Sequence, residues 1–158
     1  MESSNVLTRL LDERAAAIVN EATIAFARSR RAFAPETGAE LTRQCLEQLL
    51  LVTRDCLITR DLSPMVRHAE LLAEGRFHAG CELREALTAL NVIEEAIWRR
   101  VLADLEPGDL AEALGATRRV LGRGKDALAA HYVALVAGPD ASPGDGDEFD
   151  DFTVADGR

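Results

Sequence analysis

Apolar residues recur along this chain at every third or fourth position and do not alternate with polar residues over a strand-length run. Alanine and leucine supply most of the apolar content, and aromatic residues make up only 4%. This pattern predicts an all-α domain in which helices pack on helices. We expect about five helices, at residues 6–33, 39–60, 64–74, 81–105 and 109–137, the last two of them long.

Helix-breaking residues set these boundaries. The run APETG, residues 34–38, separates the first two helices. Ser63 is expected to cap the third helix with Pro64 in its first position, and Asp109 is expected to cap the last. The second helix carries four consecutive apolar residues, 49–52, and is apolar around much of its girth. We expect it to be the most buried element.

The last helix contains Gly115, Gly122 and Gly124. A glycine costs roughly 1 kcal/mol relative to alanine in a helix interior. A close contact between helices or a kink is the expected reason for accepting that cost.

The last two helices carry more apolar residues than one buried stripe needs. Val92, Trp98 and Val120 lie beside the main stripes, and Gly115 and Gly122 would allow two backbones to approach closely. A two-fold symmetric interface is the commonest cover for such a surplus. The sequence therefore predicts a homodimer through these two helices.

The chain changes character after Gly138. The segment beyond it is rich in Asp, Gly and Pro, and it carries −6 of the net charge of −9. We expect a helical domain over residues 1–137 and a disordered acidic tail over residues 138–158 that is dispensable for folding. Phe149, Phe152 and Val154 could form a docking motif for a partner within this tail, although a solubilising tail is the more common reading.

Charge and leader sequences limit the classes of partner. A net charge of −9 argues against a nucleic-acid-binding surface, which needs clustered basic residues. No stretch is long and apolar enough for a membrane span, and no signal peptide opens the chain, so the cytoplasm is expected. Cys45, Cys56 and Cys81 show no C-x-x-C spacing and are interpreted as reduced thiols.

Candidate chemistry is sparse. His78, Cys81 and Glu82 lie within one helical turn, but a zinc site needs four ligands and no second pair lies nearby. His131 could face a haem, yet the chain has too few aromatic residues to wall a haem pocket. No residue set suggests a nucleophile, so we expect a non-enzyme without metal or cofactor.

The segment 73–102 carries a more specific pattern, G-x-x-L-x-E-x-L-x-A-L. The pattern resembles the core of the N-terminal sensor domain of RsbR-type stressosome proteins. That resemblance implies a haem-free, globin-like bundle that dimerises through its last two helices and passes a signal to an output domain. In the family an output domain is expected after this region, whereas here an acidic segment follows it, and Asn91 stands where the family tends to have a basic residue. The matching positions are Gly80, Leu83, Glu85, Leu87, Ala89 and Leu90.

Three functional hypotheses follow. The first is a stand-alone sensor or adaptor domain that acts through protein contacts in bacterial stress or transcriptional regulation. The second is a helical module that binds an apolar small molecule, with Phe26, Cys45 and Cys56 lining its pocket. The third is an acidic regulator whose tail masks a basic surface.

Overall fold

The computed structural model describes residues 2–30 and 39–139, and these residues form helices without any strand. The all-α prediction is therefore confirmed for this part of the chain. The predicted break at residues 34–38 and nearly all of the acidic tail lie outside the described residues. The helices are α1 (Glu2–Glu13), α2 (Ala15–Arg30), α3 (Ala39–Thr59), α4 (Ser63–His78), α5 (Leu83–Asp104) and α6 (Pro107–Ala137).

The expected first helix is two helices that meet at Arg14. The interruption is confined to this one residue, and i→i−4 hydrogen bonds continue on both sides of it. The Arg14 N–H donates to the Leu10 carbonyl and the Arg14 carbonyl accepts from Ile18, both at 2.9 Å. The Arg14 side chain also donates to Asp104 at the end of α5, at 2.9 Å.

Helix α4 is longer than expected, since it continues past Gly75 to His78. The extra turn carries Phe77, whose ring meets that of Tyr132 edge-on with centroids 5.7 Å apart. Packing against α6 therefore outweighs the helix propensity of one glycine. Gly80, with φ of 75°, then makes the turn into α5, and L-residues with a side chain rarely adopt that conformation.

Helix α5 lies at the centre of the bundle. It contacts each of the other described helices and has nine buried residues, among them Leu90, Ile93 and Ile97. It runs antiparallel to α2, because Arg14, just before α2, pairs with Asp104 at the end of α5, while Glu21 pairs with the earlier Arg100. Helix α6 packs against both α5 and α4.

The expectation that the second helix is the most buried was wrong. Helix α3 is apolar around much of its girth, but Leu41, Leu51 and Ile58 are exposed on it. A helix with apolar residues on all sides can be buried on any of them. Which sides are buried depends on where the neighbouring helices pack.

Candidate binding groove

A groove runs between the corner that joins α3 to α4 and the middle of α6. It consists of three adjoining clefts, all lined by Leu62, and the most enclosed of them has a volume of about 420 Å³. We call the three clefts together the arginine groove, for the residues on its rim.

The floor of the enclosed cleft is apolar. Helices α1, α3 and α6 each contribute to it, and the side chains there are buried. The floor can therefore accept an apolar side chain without leaving a polar group unpaired. Its buried residues are Leu7, Cys56, Leu57, Ala113 and Val120.

The rim is basic, although the chain as a whole is acidic. Five exposed arginines line the three clefts against three carboxylates. Within the described residues, none of these five guanidinium groups has a carboxylate within 4 Å, whereas Arg14, Arg54 and Arg100 are all paired. The rim arginines are Arg60, Arg67, Arg118, Arg119 and Arg123, and the carboxylates are Asp61, Glu112 and Asp126.

The α3–α4 corner has a defined local geometry that places its arginines. Arg60 has a positive φ of 55°, which turns the chain sharply at the end of α3. The Asp61 carboxylate then accepts the Ser63 N–H at 2.9 Å. Hydrogen bonds from the Ser63 backbone and hydroxyl, with Arg67 nearby, hold the pKa of Asp61 below its usual value. Asp61 therefore satisfies the start of α4, and the expectation that Ser63 caps this helix was wrong.

The α6 wall carries its arginines close together. Arg119 and Arg123 lie one helical turn apart, next to Arg118. Gly115 and Gly122 line the same wall, and a Cβ added at either position would meet nothing within 4 Å. This wall is therefore shallow and open between its long cationic side chains.

Helix α6 also begins earlier than expected. Glu106 is its N-cap and Pro107 its first residue, so Asp109 lies in the first turn and does not cap the helix. Proline suits a first-turn position because it has no backbone N–H, and an N–H at that position would have no acceptor within the helix.

Only one of the three residues assigned to a ligand pocket lines the groove. Cys56 is on its floor, and burial raises the pKa of its thiol above the ordinary value. A protonated thiol behaves there as a small apolar group. Phe26 is buried in the core and Cys45 is half-buried on α3, and neither lines any of the three clefts.

The residues assigned to a dimer interface are dispersed. Val92 and Val120 are buried by other helices of the same chain, so they are not the apolar surplus that the sequence suggested. Gly115 and Gly122 line the groove. Trp98 is exposed at 36% and remains available for contact.

The residues considered for metal or haem binding have other neighbours. Within the described part of the chain, no three His, Cys, Asp or Glu side chains are grouped so that they could hold a metal ion. The Cys81 carbonyl accepts a hydrogen bond from the Tyr132 hydroxyl at 2.7 Å. His131 Nε2 lies 3.0 Å from a carboxylate oxygen of Glu74, between α6 and α4.

The sequence analysis missed the arginine groove. Arginine makes up all but one of the basic residues, a bias that is easily attributed to composition. The cluster at 118, 119 and 123 was the available signal, because it places three guanidinium groups within two turns of one helix. Arg60 and Arg67 come from a distant segment, and only the fold brings them to the same groove.

Three residues of the stressosome-like pattern have structural roles in the turn before α5 and in the core. Gly80 makes the turn before α5, while Ala89 and Leu90 point into the core.

Comparisons with protein-family models, curated proteins and solved structures found no match to the chain. No helix in the described ranges is long and apolar enough to cross a membrane.

Proposed function

We propose that this chain is a haem-free, globin-like sensor or adaptor domain that binds an acidic, partly apolar segment of a partner protein in the arginine groove. The arrangement that carries the proposal is a rim of five arginines without carboxylate partners, in the described residues, above an apolar floor. The globin-like class and a role in bacterial stress or transcriptional regulation rest on the pattern at Gly80–Leu90.

The two parts of the groove suit two kinds of side chain. A guanidinium group can form two parallel hydrogen bonds with one carboxylate, which makes arginine well suited to recognise acidic segments. Each exposed ion pair contributes only about 0–1 kcal/mol, so several pairs and an apolar anchor are needed together. Five rim arginines and the floor around Val120 supply both.

A charge reversal on α6 tests this proposal. Replacing Arg119 and Arg123 together by Glu should weaken binding of a fluorescein-labelled peptide built of Asp-Asp-Phe repeats by at least about tenfold, or roughly 1.4 kcal/mol. The reason is that two attractions become repulsions at one wall of the groove. Fluorescence anisotropy on the full chain measures this affinity.

A matched variant separates groove binding from the effect of net charge. Arg28 and Arg43 are on α2 and α3 and do not line the groove. Replacing both by Glu changes the total charge equally and should leave peptide affinity within about twofold. Equal weakening in the two double variants would show that the peptide senses overall charge, and the groove would then not be the binding site.

A small anionic ligand is the second candidate. The enclosed cleft of about 420 Å³ lies within the range of roughly 300–1,000 Å³ that is typical of small-molecule sites. Its apolar floor could take an alkyl chain while Arg60 or Arg119 holds a carboxylate. Calorimetric titration with dodecanoate tests this candidate: saturable binding that an excess of the acidic peptide abolishes would support it, whereas binding that survives the peptide would place the ligand outside the groove.

A homodimer is also part of the proposal, now centred on α5. Trp98 and Leu102 are exposed one turn apart, at 36% and 61%. Replacing Trp98 by Glu would bury an unpaired charge in such an interface, so light scattering should report a monomer. Trp98→Phe keeps an aromatic ring and should remain dimeric. A monomeric wild-type chain at tens of micromolar would rule out the dimer.

A further inference from the structure

We infer that the arginine groove is the docking site of the chain's own acidic tail, which competes there with acidic segments of other proteins. This inference rests on the proposed function, because it names an occupant for the same groove. Residues 140–158 of the tail lie outside the described residues. The argument therefore uses their sequence, the chemistry of the groove and the point at which α6 ends.

The tail and the groove are complementary in charge and in apolarity. The tail holds −6 of the chain's net charge of −9, so it contains most of the unbalanced acid in the molecule. Phe149 and Phe152 stand among its densest carboxylates, Glu148, Asp150 and Asp151. The groove presents the reverse arrangement, an apolar floor surrounded by arginines. Aromatic side chains among acids therefore match both parts of the groove at once.

The tail is long enough to reach the groove. Gly138 follows the last residue of α6, with φ of 73°. From Gly138 back to Arg123 is about 22 Å along the helix at 1.5 Å per residue. Phe149 can lie up to about 36 Å from Gly138 when the intervening residues are extended at about 3.3 Å each. A tail that folds back along α6 is therefore more than long enough to bring Phe149 to Arg123.

The surface between the end of α6 and the groove offers an open path. Ala130, Val133 and Ala137 are exposed and continue the face of α6 that carries Gly122 and Asp126. Val133 is the only large apolar side chain of the three, and it is 59% exposed. A returning segment could cover it without displacing any helix.

Covalent linkage makes a weak contact effective. A flexible tether of this length gives an effective concentration on the order of 1 mM at the groove. A tail that binds with an intrinsic Kd near 0.1 mM would then weaken binding of a competing peptide about tenfold. The groove would consequently respond to partners whose acidic segment binds more tightly than the tail does.

The experiment uses the full-length chain and a fluorescein-labelled peptide with the sequence of residues 140–158. The tail variant carries Phe149→Ser, Asp150→Asn, Asp151→Asn and Phe152→Ser, and the groove variant carries Arg119→Glu and Arg123→Glu. We expect the peptide to bind the tail variant about tenfold more tightly than the wild type. Adding the groove substitutions to the tail variant should abolish that gain.

The outcomes separate this inference from the proposed function. Equal affinity for the wild type and the tail variant, lost in the groove variant, would overturn tail docking and leave the groove as a site for acidic segments. No binding to any of the four proteins would overturn both. A gain in the tail variant that persists with Arg119→Glu and Arg123→Glu would place the tail elsewhere and overturn the inference.

Discussion

Replacing Lys125 by Met is expected to lower the free energy of unfolding by about 2–3 kcal/mol. Lys125 is the only lysine in the chain, and its ammonium group pairs with the Glu94 carboxylate across the α5–α6 contact. Glu94 is only 7% exposed, so removing its partner leaves a buried charge unpaired. Methionine keeps most of the length and apolar stem of lysine, which confines the change to the charge.

Two further variants distinguish this effect from a general loss of packing. Arg99→Met removes the exposed i,i+4 pair with Glu95 and should cost at most about 0.5 kcal/mol. Glu94→Leu combined with Lys125→Met removes both charges and should recover stability to within about 1 kcal/mol of the wild type. Urea unfolding followed by circular dichroism measures all three. A cost for Lys125→Met as small as that of Arg99→Met would show that Glu94 is hydrated.

The sequence indicates this ion pair through two charged residues that occupy positions within the apolar stripes of α5 and α6. Glu94 and Lys125 each interrupt an apolar stripe four residues after a leucine, Leu90 in α5 and Leu121 in α6. Its neighbour Glu95 lies on the exposed side of α5, whereas Glu94 is buried. A charged residue at a stripe position on each of two neighbouring helices predicts that the two meet, because a lone buried charge is too costly.

Local signals predicted the extent of several helices well. Helix α3 was expected at residues 39–60 and is Ala39–Thr59, and α6 was expected at 109–137 and is Pro107–Ala137. Both are bounded by residues that break or cap helices, and these act over a few positions. The extension of α4 through Gly75 accompanies the contact of Phe77 with Tyr132 on the distant helix α6, so periodicity alone could not show it.

The arginine groove could not be predicted from the sequence for the same reason. Its arginines come from the α3–α4 corner and from α6, which are about fifty residues apart in sequence. Val120 was assigned to an interface because it lies beside the main stripe, yet the fold places it on the groove floor. Which side of a helix meets solvent follows from the packing of all the helices, and a single sequence does not contain that arrangement explicitly.

One glycine of α6, Gly124, lies in a close contact with two neighbouring helices. Gly124 is buried where α6 meets α4 and α5, and a Cβ built there would lie 2.8 Å from Met65 Sδ and 3.0 Å from Leu90 Cδ2. Both distances are shorter than ordinary van der Waals contacts, and Met65 and Leu90 are fully buried. The close helix contact that the sequence analysis expected of the α6 glycines therefore occurs at Gly124, whereas an added Cβ at Gly115 or Gly122 would meet nothing within 4 Å.

Replacing Gly124 by Val should lower the free energy of unfolding by about 3 kcal/mol, because its extra carbons overpack the junction. Gly122→Ala is the matched control, since nothing lies within 4 Å of its added Cβ, and it should stabilise the chain by about 0.5–1 kcal/mol. Met65→Ala should make room for the valine, so the cost of Gly124→Val with Met65→Ala should be less than the sum of the single costs. Urea unfolding measures each variant. Additive costs would show that the valine does not press on Met65, and a Gly124→Val chain as stable as the wild type would show that α4 and α6 can separate without loss.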